Sequence, residues 1–340
     1  WNHEYDLRGK RVAVVGTGAS AIQFLPKIQP DVAKIHLFQR TAPWVLPRTE
    51  RRITGVEHAI FRRFPAIQRA MRSVVYWARE ATALPMLHVT LSPLLRRLGL
   101  AHLRRQVPDP ELRSMLTPGY APGCKRILIS NDYYPALSRE NVEVVDGGVA
   151  AIREGAVVAA DGTEREVDAV IFGTGFHVLD MPIADRVRGA DGRTLAEAWK
   201  GSPQAHRGTS VPGFPNLFML LGPNTGSGHM SVVFIAEAQS RYVLDAIRAM
   251  KRSGIGAVSV KPEAHRAYNE SVQRRMKGTA WTEGGCASWY IDDNGLNTSL
   301  WPDFAYRFKR ELRSFDLENY EALAAPAAAS ELVGAAPSRV

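Results

Sequence analysis

The chain has 340 residues, 45% hydrophobic and 23% charged. That is the composition of an ordinary globular protein of about two domains, and it excludes a collagen, a disordered chain and a small disulfide scaffold. No apolar run approaches the roughly 18 residues of a membrane span, and no charged-then-apolar leader is visible at the start. Two cysteines, Cys124 and Cys286, predict no disulfide framework, and a reducing, cytoplasmic setting is the default. The net charge of +9 raises the question of nucleic acid. Residues 51–126, however, carry 14 basic and 4 acidic side chains, against 29 and 30 elsewhere. One segment holds the whole excess, with no zinc-ligand spacing and no RNA-binding aromatic signature, so nucleic-acid binding stays a weak alternative.

In chain order, Arg11–Val15 reads as a strand buried on both faces. It runs into Gly16-Thr17-Gly18-Ala19-Ser20-Ala21, and a helix follows with Ala21, Leu25 and Ile28 on one face. Pro26 should kink or end that helix. Ile35–Phe38 reads as a second strand, ending at Gln39-Arg40-Thr41. Residues 50–107 read as amphipathic helices interrupted by Pro65, Pro85 and Pro93, and residues 108–123 as loop. Strands are expected at 126–129 and 141–145. A hairpin is expected over 156–172, with arms Val157-Val158 and Val167–Phe172 turning at Asp161-Gly162. Leu217–Leu221 reads as another buried strand. Helices follow at about 232–251 and 262–277, and the Ala-rich residues 321–340 are expected to be frayed or disordered.

The Gly16–Ala21 turn is the strongest local signal. Gly16 permits the tight exit from the strand, Gly18 lets backbone approach a pyrophosphate, and Ala21 allows close helix–strand packing. The helix N-terminus then faces the phosphates. The alternative is a tight turn with no ligand. An NAD site would place Asp or Glu at the end of the second strand. This chain has Arg40 there, 22 residues after Gly18, and a guanidinium binds a 2′-phosphate that a carboxylate would repel. The reading is NADP(H), with an ordinary surface arginine as the alternative.

The stretch Gly9–Arg48, with GTGASAIQ (Gln23 included) and LFQRTAPWVLPR, resembles the NADPH domain of the class B flavoprotein monooxygenases. Gly123-Cys124-Lys125-Arg126 followed by Asn131–Leu137 resembles the Baeyer–Villiger branch. Asp168–Phe176, with Thr174 and Gly175, resembles the strand returning to an FAD domain. Gly222-Pro223-Asn224-Thr225 resembles a loop near the flavin ring. Trp281 to Tyr290 and Leu300-Trp301-Pro302 are similar to the C-terminal portion of one subgroup.

The resemblance implies an α/β fold: a doubly wound, Rossmann-like NADPH domain at 1–169 with a helical insertion at about 50–122, then the C-terminal part of an FAD domain at 170–320. It also implies that an N-terminal FAD-binding strand and glycine turn are missing, with Trp1 at the penultimate position of the branch fingerprint. The implied activity uses NADPH, FAD and O2 to insert oxygen into a ketone through a flavin peroxide, with oxygenation of nitrogen or sulfur as the alternative. By resemblance, Arg126 supplies the positive charge a peroxide anion needs in a dry site, and Lys125 joins Arg40 on the NADP 2′-phosphate. The bland reading is that Lys125-Arg126 merely ends a basic segment. The chain alone is expected not to hold FAD tightly, which leaves a non-catalytic NADPH-binding piece as an alternative from another class.

Weaker candidates remain. Cys124 is expected to be a plain loop thiol, and Cys286 lacks a partner at metal spacing. His229 is expected to bond its own loop backbone rather than the flavin. Trp281, Trp289 and Trp301 are expected to pack in the core rather than line a tunnel. No metal-ligand spacing is present. For the basic helices of 51–107, a solvated face around an active-site cap is the expectation and contact with an anionic membrane surface the lesser alternative.

Overall fold

The computed structural model describes residues 2–323; Trp1 and residues 324–340, to which two expectations above refer, lie outside them. The chain divides into two compact units. Of the described residues, one unit comprises those up to Arg72, His88–His177 and Glu283–Cys286; the other comprises Ser73–Leu87, Val178–Thr282 and 287–323. The chain passes from one unit to the other after Arg72, Leu87, His177, Thr282 and Cys286.

The first unit is built on strand β1 (Arg11–Val15), helix α1 (Ala21–Ile28) and strand β2 (Lys34–Gln39). β1 is apolar after Arg11, and β2 carries Ile35, Leu37 and Phe38 with a buried His36 and Gln39; both strands are buried along most of their length. Pro26 lies inside α1, which ends two residues later. Next come β3 (Val45–Leu46), α2 (Gly55–Arg63) and α3 (Pro65–Ala81), then the short α4 (Leu84–Leu87) and α5 (Ser92–Gln106). Pro65 opens α3 and Pro93 sits in the first turn of α5. These prolines start helices rather than interrupt them, because a first-turn residue has no intrahelical N–H to lose.

The expected loop 108–123 contains a helix, α6 (Pro110–Met115), capped by Asp109, whose carboxylate accepts from the Glu111 and Leu112 amides. The signal was present: Asp-Pro is an N-cap followed by its favoured first residue. After it come β4 (Leu128–Ile129), α7 (Tyr133–Leu137), β5 (Val142–Asp146), β6 (Val149–Arg153), β7 (Ala156–Ala159), β8 (Glu164–Glu166) and β9 (Ala169–Phe172).

β5, β2, β1 and β9 form a parallel sheet in that order. The hairpin corrects the sequence reading. β7 turns at Asp161-Gly162 and pairs antiparallel with β8, not with the run from Val167. Residues 169–172 instead join β1, with Val12 opposite Ala169. A core of Val12, Val14, Leu25, Ile35, Leu37, Leu103 and Tyr133 fills one side of the sheet.

In the second unit, α8 (Leu195–Trp199), α9 (Val232–Ser253), β10 (Ala257–Val260), α10 (Pro262–Met276), α11 (Ala280–Glu283, whose last residue belongs to the first unit), α12 (Ala305–Glu311) and β11 (Tyr320–Leu323) follow in order. β10 and β11 form an antiparallel pair, so residues 321–323 of the expected tail are part of a strand. Leu217–Leu221 is not a strand. Asn216 and Leu221 both have left-handed φ, 57° and 56°, which bends the segment at each end. Its amides bond to Phe214, to Thr209 and to the Gln239 side chain rather than to a ladder. Leu220 and Leu221 are exposed.

Candidate functional site

The first candidate site lies at the C-terminal ends of β1 and β2, where an open parallel sheet binds its ligands. Gly16 has a φ of 106°, and a Cβ there would meet the Gly173 carbonyl oxygen at 2.5 Å. Gly173 in turn donates its N–H to Val15, so the exits of β1 and β9 are drawn together and only glycine fits. A Cβ at Gly18 would meet only the Gly173 carbonyl oxygen, at 4.0 Å. Ala21 is fully buried, as close helix–strand packing requires. Thr17 donates its hydroxyl to the Thr41 carbonyl at 3.1 Å, which ties the turn to the end of β2. Ser20, at the N-cap of α1, makes no side-chain capping bond. The Gln23 amide donates back to Ala19, and Ala19 is half-buried on the turn.

Gln39 is buried and donates to the Met115 carbonyl, so Arg40 is the exposed end of the strand. Lys125 lies close enough for Arg40 to matter: partial burial, and then the Arg40 charge, lower its pKa. Among the described residues neither cation meets a carboxylate. Two neighbouring cations without a carboxylate partner, one of them at the end of β2, fit a phosphorylated dinucleotide. Arg126 is exposed on the same loop.

The loop is anchored by a bond the sequence reading did not expect. Cys124 and Cys286 form a disulfide, with Trp44 and Tyr120 packed around it. Neither is a free thiol. They are 162 residues apart in sequence but their α-carbons are 6.1 Å apart, a proximity that spacing alone does not reveal. The cysteine count therefore no longer argues for a reducing compartment. Thr174 and Gly175 follow β9 on an exposed turn, Gly175 with a φ of 94°.

The second site lies within the other unit. Residues 222–226 run beside 297–300: Asn224 and Gly226 donate their amides to Thr298 and Ser299. Gly222 is required by packing, since a Cβ would meet the Gly208 carbonyl at 2.5 Å; Pro223 is buried. Asn224 is 1% exposed and its amide donates to the Asn297 and Leu300 carbonyls. Asn224 Oδ1, Asn297 Nδ2, Thr298 Oγ1 and Ser299 Oγ are all buried without a partner among the described residues. Orphaned polar atoms of this kind are costly unless a ligand or water satisfies them. The sequence reading missed 297–299, because Asn, Thr and Ser in a turn read as loop.

The structure corrects the reading of His229. It bonds not to loop backbone but, through Nε2, to Glu80 at 3.1 Å, while Nδ1 faces the Ser227 hydroxyl at 3.3 Å. Burial lowers its pKa against the pull of Glu80. The neutral ring thus donates to the carboxylate and accepts from Ser227. Trp281 and Trp301 are buried, whereas Trp289 is exposed. Among the described residues there is no His/Cys/Asp/Glu group that could hold a metal, and no helix is long and apolar enough to cross a membrane.

No family model matches the sequence. A Baeyer–Villiger monooxygenase of Streptomyces coelicolor is 48% identical over 325 residues, covering 95% of this chain and 63% of that protein. One of Pseudomonas aeruginosa is 48% identical over 334 residues, covering 97% and 63%. The chain thus spans just under two thirds of the length of these relatives. In structure, an oxidized steroid monooxygenase bound to NADP superposes with a TM-score of 0.79 at 25% identity, over 95% of this chain and 69% of that one. A cyclohexanone monooxygenase of Rhodococcus, at 22% identity and a TM-score of 0.78, shares the fold. With 95–97% of this chain matched at 48% identity by these two relatives, the chain belongs to the Baeyer–Villiger branch of the class B flavoprotein monooxygenases.

Proposed function

We propose that the protein takes part in an NADPH- and FAD-dependent monooxygenation that inserts one oxygen atom of O2 into a ketone. The observation that carries the reading is the pairing of Arg40 and Lys125, two cations without a carboxylate, beside the Gly16–Ala21 turn. Steroid and cyclohexanone monooxygenases of this fold are bound to NADP, and a further relative in structure to both FAD and NADP.

NADP(H) would lie with its pyrophosphate over Gly18 and the α1 N-terminus and its 2′-phosphate between Arg40 and Lys125. FAD would supply the reaction with oxygen when bound; within the second unit the 222–226 loop, which carries the orphaned Asn224 Oδ1, is a candidate to hold part of it, and within the first unit Thr174 and Gly175 are candidates by resemblance. Arg126 holds a fixed positive charge where negative charge develops on oxygen. Gly16, Gly18 and Ala21 shape the backbone; Thr17 and Thr41 fix the turn to the strand end.

Calorimetry on the Arg40→Ala variant tests the cation pairing. Losing one charge-assisted phosphate contact should weaken NADPH about 10- to 100-fold and leave NADH nearly unchanged; equal weakening removes the assignment. Ketone and thioether substrates assayed side by side with added FAD and NADPH decide the oxygenation class. Ester from the ketone supports the reading, while sulfoxide alone supports heteroatom oxygenation.

A further inference from the structure

Helix α3 carries its amphipathicity inside out. Ile67, Met71, Val74, Val75 and Ala78 lie at i, i+4, i+7, i+8 and i+11 and share one face. The first four are 47%, 40%, 69% and 55% exposed. The opposite face carries Tyr76 and Glu80, and it is this polar face that packs inward. Glu80 is 2% exposed and Tyr76 lies against Phe234. A helix that only bordered solvent would bury the valines and expose the glutamate. In the preceding helix α2 no residue is buried, and Val56, Ile60 and the following Phe64 are exposed too.

The charge of this stretch of sequence is mostly of one sign. Residues 51–81 contain seven arginines (51, 52, 62, 63, 69, 72 and 79) and two acids. Of the acids, Glu57 is bound to Arg51 and Glu80 is buried, so no carboxylate is left to face outward. We infer that the Ile67–Val75 face of α3, in a stretch of sequence rich in arginine, seats flat on an anionic phospholipid bilayer surface. Apolar side chains that enter the headgroup boundary with arginines at its edge are what such a seat needs. At 17 residues α3 is about 26 Å long, and no described helix qualifies to cross the bilayer, so the seat is parallel to the surface. The inference stands apart from the monooxygenase reading, since it uses none of the dinucleotide residues.

The test is co-sedimentation of the chain with vesicles of phosphatidylcholine alone and of phosphatidylcholine mixed with phosphatidylglycerol, at low and physiological salt. Binding to the mixed vesicles should be at least about tenfold tighter and should weaken with salt. Val74→Ser with Val75→Ser should weaken it about tenfold or more. Arg62→Gln with Arg63→Gln and Arg72→Gln should weaken it about 100-fold on the mixed vesicles. All five side chains are on exposed helix surface, so circular dichroism should show both variants folded. Equal binding to both lipids, no binding to either, or binding untouched by both variants overturns the inference. So does a concentration-dependent dimer, abolished by the serine pair, in a chain that ignores vesicles; that outcome gives the face to a second copy.

Discussion

Glu80 is a buried carboxylate with its acceptor sites filled from three stretches of chain. It accepts from the Tyr76 hydroxyl at 2.6 Å, from His229, and from the Ala305 and Tyr306 amides at 3.2 and 2.9 Å. The last two are orphan amides of α12, whose N-cap residue, Phe304, offers no side-chain bond, so Glu80 caps that helix from elsewhere. Glu80→Ala leaves four buried or half-buried donors unmet and should cost about 3–5 kcal/mol in urea unfolding. Glu80→Gln, which keeps one acceptor oxygen, should cost clearly less. Two variants within about 1 kcal/mol of the parent would refute the capping role. Nothing local marks Glu80 in the sequence, because its partners lie about 150 and 225 positions away. By contrast, Gly16 and Arg40 were legible, since their roles follow from a strand–turn–helix only a few residues long.

At the scale of elements, α5 shows two effects of opposite sign meeting at one position. Gly99 sits inside that helix, where glycine ordinarily costs up to about 1 kcal/mol relative to alanine. Here an added Cβ would meet the Trp44 ring at 2.7 and 2.9 Å, and that ring is buried and held by its N–H on the Tyr120 carbonyl. The ring cannot step aside, so overpacking wins. Gly99→Ala should destabilise by about 1–2 kcal/mol in denaturant melts, and a stabilised variant would show that Trp44 has room. The same elements show why reading from sequence succeeds in part. β1, α1, β2, α9 and α10 have the periodicity of one environment along their length. The run at Leu217 is equally apolar, but the left-handed residues at its ends decide its path, and an apolar run says nothing of φ. The β8 arm, Glu-Arg-Glu, has no apolar signal at all, and only its cross-strand partners make it a strand.

For the whole molecule, three histidines, one buried and two half-buried, set the response to mild acid. Burial lowers the pKa of His36, His229 and His265, in each case as the leading cause. The folded state therefore keeps them neutral where the unfolded chain, near pKa 6.5, takes up protons. Unfolding binds protons below that value, so stability is full above about pH 6.5 and falls as pH drops through the interval down to the folded-state values. The depressed carboxyl of Asp316 acts later. Burial opposes its ionisation, but bonds from His206 and Tyr242 bring it to about 2, so its contribution fades only below about pH 4. Glu311, raised by burial, works in the other direction near its own range. The urea midpoint should accordingly decline between about pH 6.5 and 5, and His229→Gln should remove part of the slope. A midpoint constant over that interval contradicts the neutral assignment.

The bond between Cys124 and Cys286 also has a topological effect. Everything from 125 to 285 becomes the circumference of a covalent ring, with residues 1–123 and 287–340 as two free arms. A protease cutting once anywhere on that ring leaves a single molecule of unchanged mass but for one water, and only a thiol reagent would separate the pieces.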